Sequence, residues 1–443
     1  MKTSVTNRQI WLIAYPIIFG SIAQNLINVT DTAFLGRVGD VALGAGAIGG
    51  IFYIVAAMLA WGLGIGSQII IARRHGEQSF SEIGRTFQHG FYFQLPLVLS
   101  LFSFMQFFSS DILHFIIQSE PVFQSTKEYI QYRSYGIFFA GVNMLFRGFY
   151  IGIAKTKVIT YTTVFMALIN GFLDYSLIFG NFGFPEMGIG GAALASVIAE
   201  FSAMLFFVLY TIFKLDGSHF NLYRGARFDE GLYKRIILIS LPVMLQHFIS
   251  MVAWLAFFLF IEKLGERSLA ISNIIRSYYM VLMIPMWGFS SAANTLVSSL
   301  IGQGRQGEVM SLTYKVMKMC ALGVLIIVLL GTLHPEYTLE IYTNDPELIR
   351  DSLPALYVVN LTAFFLAIGF VLLNAVSGTG KTQVSFVIEL IVIVLYLGLA
   401  YIVADIFRLE VYIVWMSEFF YAFLLGLLSY IYLKSGRWKS ARV

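Results

Sequence analysis

Two aspartates stand in stretches that are otherwise almost free of charge. Asp31 lies near the end of an apolar run over residues 10–34, preceded by Gln24 and Asn28. Asp174 lies in a second run over 158–181, preceded by Asn170. Spacings of three and four residues put side chains on one helix face, so each run presents an oxygen-bearing stripe. A carboxylate inside such a helix costs several kcal/mol unless it is paired, hydrated or neutralised. Two carboxylates brought together can share a proton or, with neighbouring oxygens, hold Na⁺. If both runs start on the inner side of a membrane, Asp31 comes roughly 30 Å along the first and Asp174 roughly 24 Å along the second. Runs that start outside carry Tyr129 in a first turn and Ser196 about two turns in, which brings all these groups to one outer level. Asp31, Asn170, Asp174, Tyr129 and Ser196 are therefore the candidate cation-coupling set, with Na⁺ as the one metal ion such a set would take.

The elements that must position them are membrane helices. The chain has 443 residues, 58% of them hydrophobic and only 12% charged, with a mean hydropathy of +0.78; soluble domains carry about 25% charged residues. Apolar runs of roughly 20 residues, each long enough to cross a bilayer as a helix, are predicted at 10–34, 43–70, 88–112, 127–150, 158–181, 189–213, 236–261, 268–298, 312–334, 353–376, 384–406 and 411–433. The first run lacks a small-residue cleavage signature and reads as a retained span. The most polar interior stretch, 214–235, reads as a cytoplasmic linker between an N-terminal bundle (1–213) and a C-terminal bundle (236–443) of six helices each.

The halves repeat. At a shift of 226 positions Pro16 falls on Pro242, Gly39 on Gly265, Trp61-Gly62 on Trp287-Gly288, Gly76 on Gly302, and Gly152–Val158 on Gly378–Val384. Six spans per half give both halves the same topology, a parallel repeat about an axis along the membrane normal. The carboxylates are not repeated: Asp31 becomes Phe257 and Asp174 becomes Ala400. Pro16 and Pro242 interrupt equivalent helices and are candidate hinges. Most of the 29 Lys and Arg fall on the side that also holds the linker, which orients both termini toward the cytoplasm.

The remaining polar groups exclude more than they propose. Gly378-Thr-Gly-Lys-Thr382 resembles the end of a phosphate loop, but Ala375 stands where a glycine is needed and a membrane helix precedes it. Cys320 is alone. No paired-histidine metal motif or nucleophile constellation occurs, so an enzyme is not expected, nor a cofactor. The excess of basic residues belongs to cytoplasmic loops rather than to nucleic-acid binding. Glu200 and Glu418 sit in equivalent spans within Ala-Glu-Phe and Ser-Glu-Phe and read as structural pairings. Arg276 is expected to pair with an acid or carbonyls, and His247 to be a satisfied interior histidine.

The run Asn28-Val-Thr-Asp-Thr-Ala-Phe-Leu-Gly-Arg37 resembles the first-span signature of the multidrug and toxic compound extrusion (MATE) family. Gln68-Ile-Ile-Ile-Ala-Arg-Arg-His-Gly76 and Gly190-Gly-Ala-Ala-Leu-Ala-Ser196 agree with it. The resemblance covers essentially the whole chain. It implies two six-helix bundles around a V-shaped cavity, and export of organic, often cationic, compounds in exchange for H⁺ or Na⁺. In the DinF-like branch the cation site lies in the N-terminal bundle, and its motif matches Asp31, Asn170 and Asp174, with Tyr129 and Ser196 the best matches for its tyrosine and hydroxyl. The NorM-like branch expects acids in spans 7 and 10, where this chain has Ser250 and no acid between Pro354 and Ser377. The expectation is a polyspecific antiporter of the inner membrane, monomeric, with small organic substrates and the lipid bilayer as its partners. Gln24, Asn28, Phe34, Met144 and Met166 are candidates for the substrate cavity. The alternative is a flippase for lipid-linked glycans, which would favour a cationic cavity for pyrophosphate; Arg133 and Arg276 are the main mid-span bases available to it.

Overall fold

The computed structural model describes residues 5–225 and 227–440; the two termini, expected from the charge pattern to be cytoplasmic, lie outside the described residues. Every regular element among the described residues is helical, because a helix is the one open segment that satisfies all of its own backbone groups in lipid. The helices are α1 (Asn7–Val38), α2 (Asp40–Gly76), α3 (Phe80–Phe107), α4 (Ser109–Ile116), α5 (Glu120–Arg133), α6 (Gly136–Gly152), α7 (Lys157–Phe179) and α8 (Gly188–Lys214). They continue as α9 (Glu230–Glu262), α10 (Glu266–Gly302), α11 (Val309–Leu333), α12 (Pro335–Glu340), α13 (Pro346–Gly378), α14 (Thr382–Tyr401) and α15 (Val411–Ser435). Eleven of the helical segments are long and apolar enough to cross a membrane.

The fourth predicted span, 127–150, is not one helix. It is divided between α5 and the short apolar α6, with Ser134 and Tyr135 between them. Gln106 on α3 fills the break: its amide donates to the Gln131 carbonyl (3.1 Å) and to the Ser134 hydroxyl (2.7 Å). The span predicted at 88–112 likewise ends earlier, at Phe107, and a separate short helix α4 follows. The last span but one finishes in a wide turn over Ile402–Ile406.

The repeat is visible in the backbone. Gly39 and Gly265, 226 apart, both have positive φ (141° and 104°), as do Gln78 and Gly304 (60° and 72°). The turns containing Ala154 and Gly380 share the same left-handed residue, φ 56° and 88°. An alanine there is strained where a glycine is not, so the turn shape is imposed by the fold.

Two compact units result: an N-unit of Phe19–Met244, and a C-unit of Met1–Ile18 with Leu245–Val443. The boundaries, Ile18 and Met244, are repeat partners at the 226 shift, each two residues beyond a helix-interior proline, Pro16 or Pro242. Compactness therefore divides the chain within α1 and α9 rather than at 214–235. The linker docks inside the N-unit: the Gln88 amide donates to the carbonyls of Leu222 and Arg224 (both 2.9 Å), and Arg85 pairs with Asp229 (2.8 Å).

Within the N-unit, α2 packs on α6, α3 and α5, and α7 on α8. The α2–α6 contact is backbone on backbone: a β-carbon on Gly148 would stand 2.3 Å from the Gly64 carbonyl oxygen, and one on Gly64 would stand 2.6 Å from that of Met144. Small residues that let helices approach this closely are the usual substitute for hydrophobic drive in lipid. Phe87, Phe146, Phe149 and Phe207 interlock behind that contact. In the C-unit, α13 packs on α15, α10 and α11, and Trp415, fully buried, donates its indole N–H to Ser272.

Candidate cation site

α1 delivers Asp31 and α7 delivers Asn170 and Asp174 to one place in the N-unit. Asn170 and Asp174 are 1% and 0% exposed; Asp31 is half-buried. The Asp31 carboxyl interacts with both Asn170 and Asp174. Oδ1 of Asp31, both oxygens of Asp174 and both polar atoms of Asn170 are buried without a hydrogen-bond partner. Each orphaned buried group costs about 1–3 kcal/mol, so five in one cluster form a set that a ligand relieves. A proton turns one carboxyl into a donor for the other; a monovalent cation gathers their oxygens. Three hydroxyl side chains of α7 are already occupied: Thr162, Thr163 and Ser176 donate to carbonyls one turn back.

Tyr129 joins this neighbourhood. It is buried, presses its ring on Gly49, where a β-carbon would meet it at 2.6 Å, and lies within electrostatic reach of Asp31 and Arg133. Ser196 is half-buried on α8, and among the described residues its hydroxyl makes no hydrogen bond to Asp31, Asn170 or Asp174. Of the cavity candidates, Gln24 and Asn28 have exposed side chains on α1, while Phe34, Met144 and Met166 are half-buried. The Phe34 ring meets Phe179 edge-on at 5.8 Å.

Sequence reasoning named Arg133 and Glu200 separately but did not join them. Arg133, the last residue of α5, makes a bidentate pair with Glu200 on α8 (2.8 and 2.6 Å). Its guanidinium carbon lies 3.5 Å from the centroid of the Tyr53 ring, and the Tyr53 hydroxyl donates to the same carboxylate at 3.0 Å. Asn143 fixes the Glu200 backbone by donating to its carbonyl (2.9 Å). Arg133 and Glu200 each follow a candidate site residue, Tyr129 or Ser196, by one helical turn; that i,i+4 spacing was the available signal. Glu200 is a paired glutamate, as expected, and Arg133 is engaged rather than free to hold a pyrophosphate.

In the C-unit, Glu389 on α14 is buried and accepts from Gln246 (2.5 Å), Ser250 (2.5 Å) and Tyr421 (3.2 Å). Glu418 accepts from Tyr396 (2.6 Å) and Tyr279 (3.4 Å). Neither forms an ion pair among the described residues. Arg276 departs from expectation: it sits on the Phe258 ring at 5.4 Å instead of on an acid.

The MatE family model matches residues 16–176 and again 242–402, two copies offset by the same 226 positions. The chain belongs to the MatE family. This MatE protein is 27% identical to the probable multidrug resistance protein NorM of Thermotoga maritima, over 97% of this chain and 93% of that protein. It is 27% identical to the multidrug resistance protein MdtK of Cronobacter sakazakii, over 68% and 66%. Among solved structures, a MATE in complex with MaL6 superposes with a TM-score of 0.90 at 19% identity, covering 97% of this chain and 95% of that one. The eukaryotic MATE transporter AtDTX14 superposes with a TM-score of 0.85 at 17% identity, covering 98% and 96%. The MatE chain is thus an all-α, multi-pass membrane transporter and not an enzyme.

Proposed function

We propose that this MatE protein is a multidrug exporter that expels organic, often cationic, compounds by alternating access, driven by inward movement of H⁺ or Na⁺. The observation that carries the reading is the cluster of orphaned polar atoms on Asp31, Asn170 and Asp174, contributed by two separate crossings and buried in one unit. A cation from outside neutralises the cluster, with Tyr129 beside it and Ser196 on the adjoining helix. The bound cation changes α1 beyond Pro16, with Pro242 the matching hinge in α9. Drug, held near Gln24, Asn28, Phe34, Met144 and Met166, then binds more weakly; the antagonism is reciprocal because both ligands draw on one conformational equilibrium. The names of the relatives support the drug class, and the N-unit carboxylates support a DinF-like placement of the site. The functional division is six crossings on either side of 214–235. The protein works as a monomer in the inner membrane with both termini cytoplasmic, and it needs no cofactor beyond the coupling ion.

The test is drug export from proteoliposomes with H⁺ and Na⁺ gradients imposed separately, on Asp31→Asn, Asp174→Asn and Glu389→Gln. Loss of gradient-driven export in the two aspartate variants and its retention in Glu389→Gln is the expected result. Coupling that survives both aspartate changes ends the proposal.

A further inference from the structure

The N-unit buries a guanidinium within electrostatic reach of Asp31 and commits it to a different carboxylate, Glu200. Arg133 is 8% exposed and is held on every side: both terminal nitrogens by Glu200, one face by the Tyr53 ring, and the backbone by the break that ends α5. The hold is tight enough to dictate Gly136, where a β-carbon would stand 2.2 Å from Arg133 Nη1 and 2.4 Å from Glu200 Oε2. Arg133 is nevertheless within electrostatic reach of Asp31 and Tyr129.

The other half of the chain shows that the fold does not need this guanidinium. Glu418 is the C-unit counterpart of Glu200 and accepts from Tyr279, the repeat partner of Tyr53. The position of Arg133 is taken there by Val359, fully buried, and the second donor is the hydroxyl of Tyr396. A buried glutamate at this place is thus satisfied by neutral hydroxyls alone. The guanidinium occurs in the half that also carries Asp31 and Asp174.

We infer that Glu200 and Tyr53 are positioning residues that hold the Arg133 guanidinium off Asp31, so that the Asp31–Asp174 site keeps its negative charge for a cation arriving from solution. Arg133 is a tethered competitor: released from Glu200, it pairs with Asp31 and takes the place of the coupling ion. Bidentate pairing is what makes the restraint effective, since a planar guanidinium on a carboxylate is fixed in orientation as well as in distance. The inference rests on the reading of Asp31 and Asp174 as the coupling site.

The experiment measures the cation concentration that half-saturates drug export in proteoliposomes, together with thermal stability in detergent. Glu200→Gln keeps the shape but removes the restraining charge, and the half-saturating concentration should rise about tenfold, within the usual range of coupling between sites. The double variant Arg133→Gln, Glu200→Gln removes competitor and restraint together and should return to within about threefold of the native value. A pair with a merely structural role would leave cation dependence native in Glu200→Gln, or leave the double variant as impaired as the single one; either result overturns the inference. If Glu200→Gln does not fold, Tyr53→Phe weakens the same restraint and should shift cation dependence in the same direction, and a native value there counts against it. Asp31→Asn run alongside separates the two readings: cation dependence that persists in it refutes the coupling site itself, whatever Glu200→Gln does.

Discussion

The two halves of this MatE chain bury the same tyrosine–glutamate pair and surround it with opposite chemistry. In the N-unit, Tyr53 and Glu200 face Arg133, and beyond it stand Asp31, Asn170 and Asp174 with their polar atoms unpartnered. In the C-unit, Tyr279 and Glu418 are joined by Tyr396, which occupies the repeat position of Asn170; Phe257 replaces Asp31 and Ala400 replaces Asp174. Phe257 is fully buried, stacks on Tyr396 at 5.7 Å and meets Trp415 edge-on at 5.2 Å. One copy of the fold thus closes this place with rings, and the other leaves it polar and unsatisfied. A scaffold that can be filled so completely does not leave five orphaned atoms for want of suitable residues; under the proposed function, the open copy sacrifices stability for a ligand.

The largest test of this contrast is to remove the charge on the open side. Asp31→Asn and Asp174→Asn should abolish gradient-driven export while raising thermal stability in detergent, since a buried charge without a partner is costly. A fall in stability in both variants would mean that the carboxylates are structural. On the filled side the sign reverses: Phe257→Ala should destabilise by about 3–5 kcal/mol, read as a lower midpoint of thermal unfolding, and should leave the cation dependence of residual transport unchanged. Gly136→Ala comes next. Its β-carbon cannot fit beside Arg133 and Glu200, so it should weaken cation coupling in the direction expected for Glu200→Gln. Glu418→Gln should cost about 1–2 kcal/mol, because its partners are neutral hydroxyls, with no change in coupling.

The smallest effect concerns how the two halves begin. α1 starts with a neutral capping box, in which the Gln9 side chain accepts from the Thr6 amide and the Thr6 hydroxyl accepts from the Gln9 amide. α9 starts with a charged cap that is not reciprocal: Asp229 accepts from the Leu232 amide at 3.0 Å and pairs with Arg85, while its own amide donates to His89 Nε2. The hydrogen bond from the Leu232 amide, with the Arg85 charge, holds the Asp229 carboxyl below the usual aspartate range. Its contribution is therefore complete above about pH 4 and is lost as pH falls through the lowered native value. Asp229→Asn should flatten the acid limb of a stability–pH curve, and the start of α1 should contribute nothing to that limb.

The sequence made most of this architecture readable because crossings are written locally. Apolar runs set the helices, and glycines and prolines at a constant offset set the repeat. Asp31, Asn170 and Asp174 were legible because each is anomalous in its own run. What escaped is what depends on distant partners. Arg133 meets residues 67 and 80 positions away in Glu200 and Tyr53, and nothing in its own helix announces either one. The break at Ser134 is invisible for the same reason: its stabilising amide, Gln106, belongs to another crossing. Nothing in α14 announces the donors of Glu389, because Gln246 and Ser250 lie on α9.

The glycine contact between α2 and α6 has a mechanical consequence. Where main chain rests on main chain at Gly64 and Gly148, no side-chain rotamer is available to cushion a displacement, so the two helices form a stiff strut. α6 begins at Gly136, against Arg133 and Glu200. A shift of that ion pair, whether imposed by an arriving ion or by its loss, is passed along the strut toward the turn at Ala154 instead of being absorbed on the way.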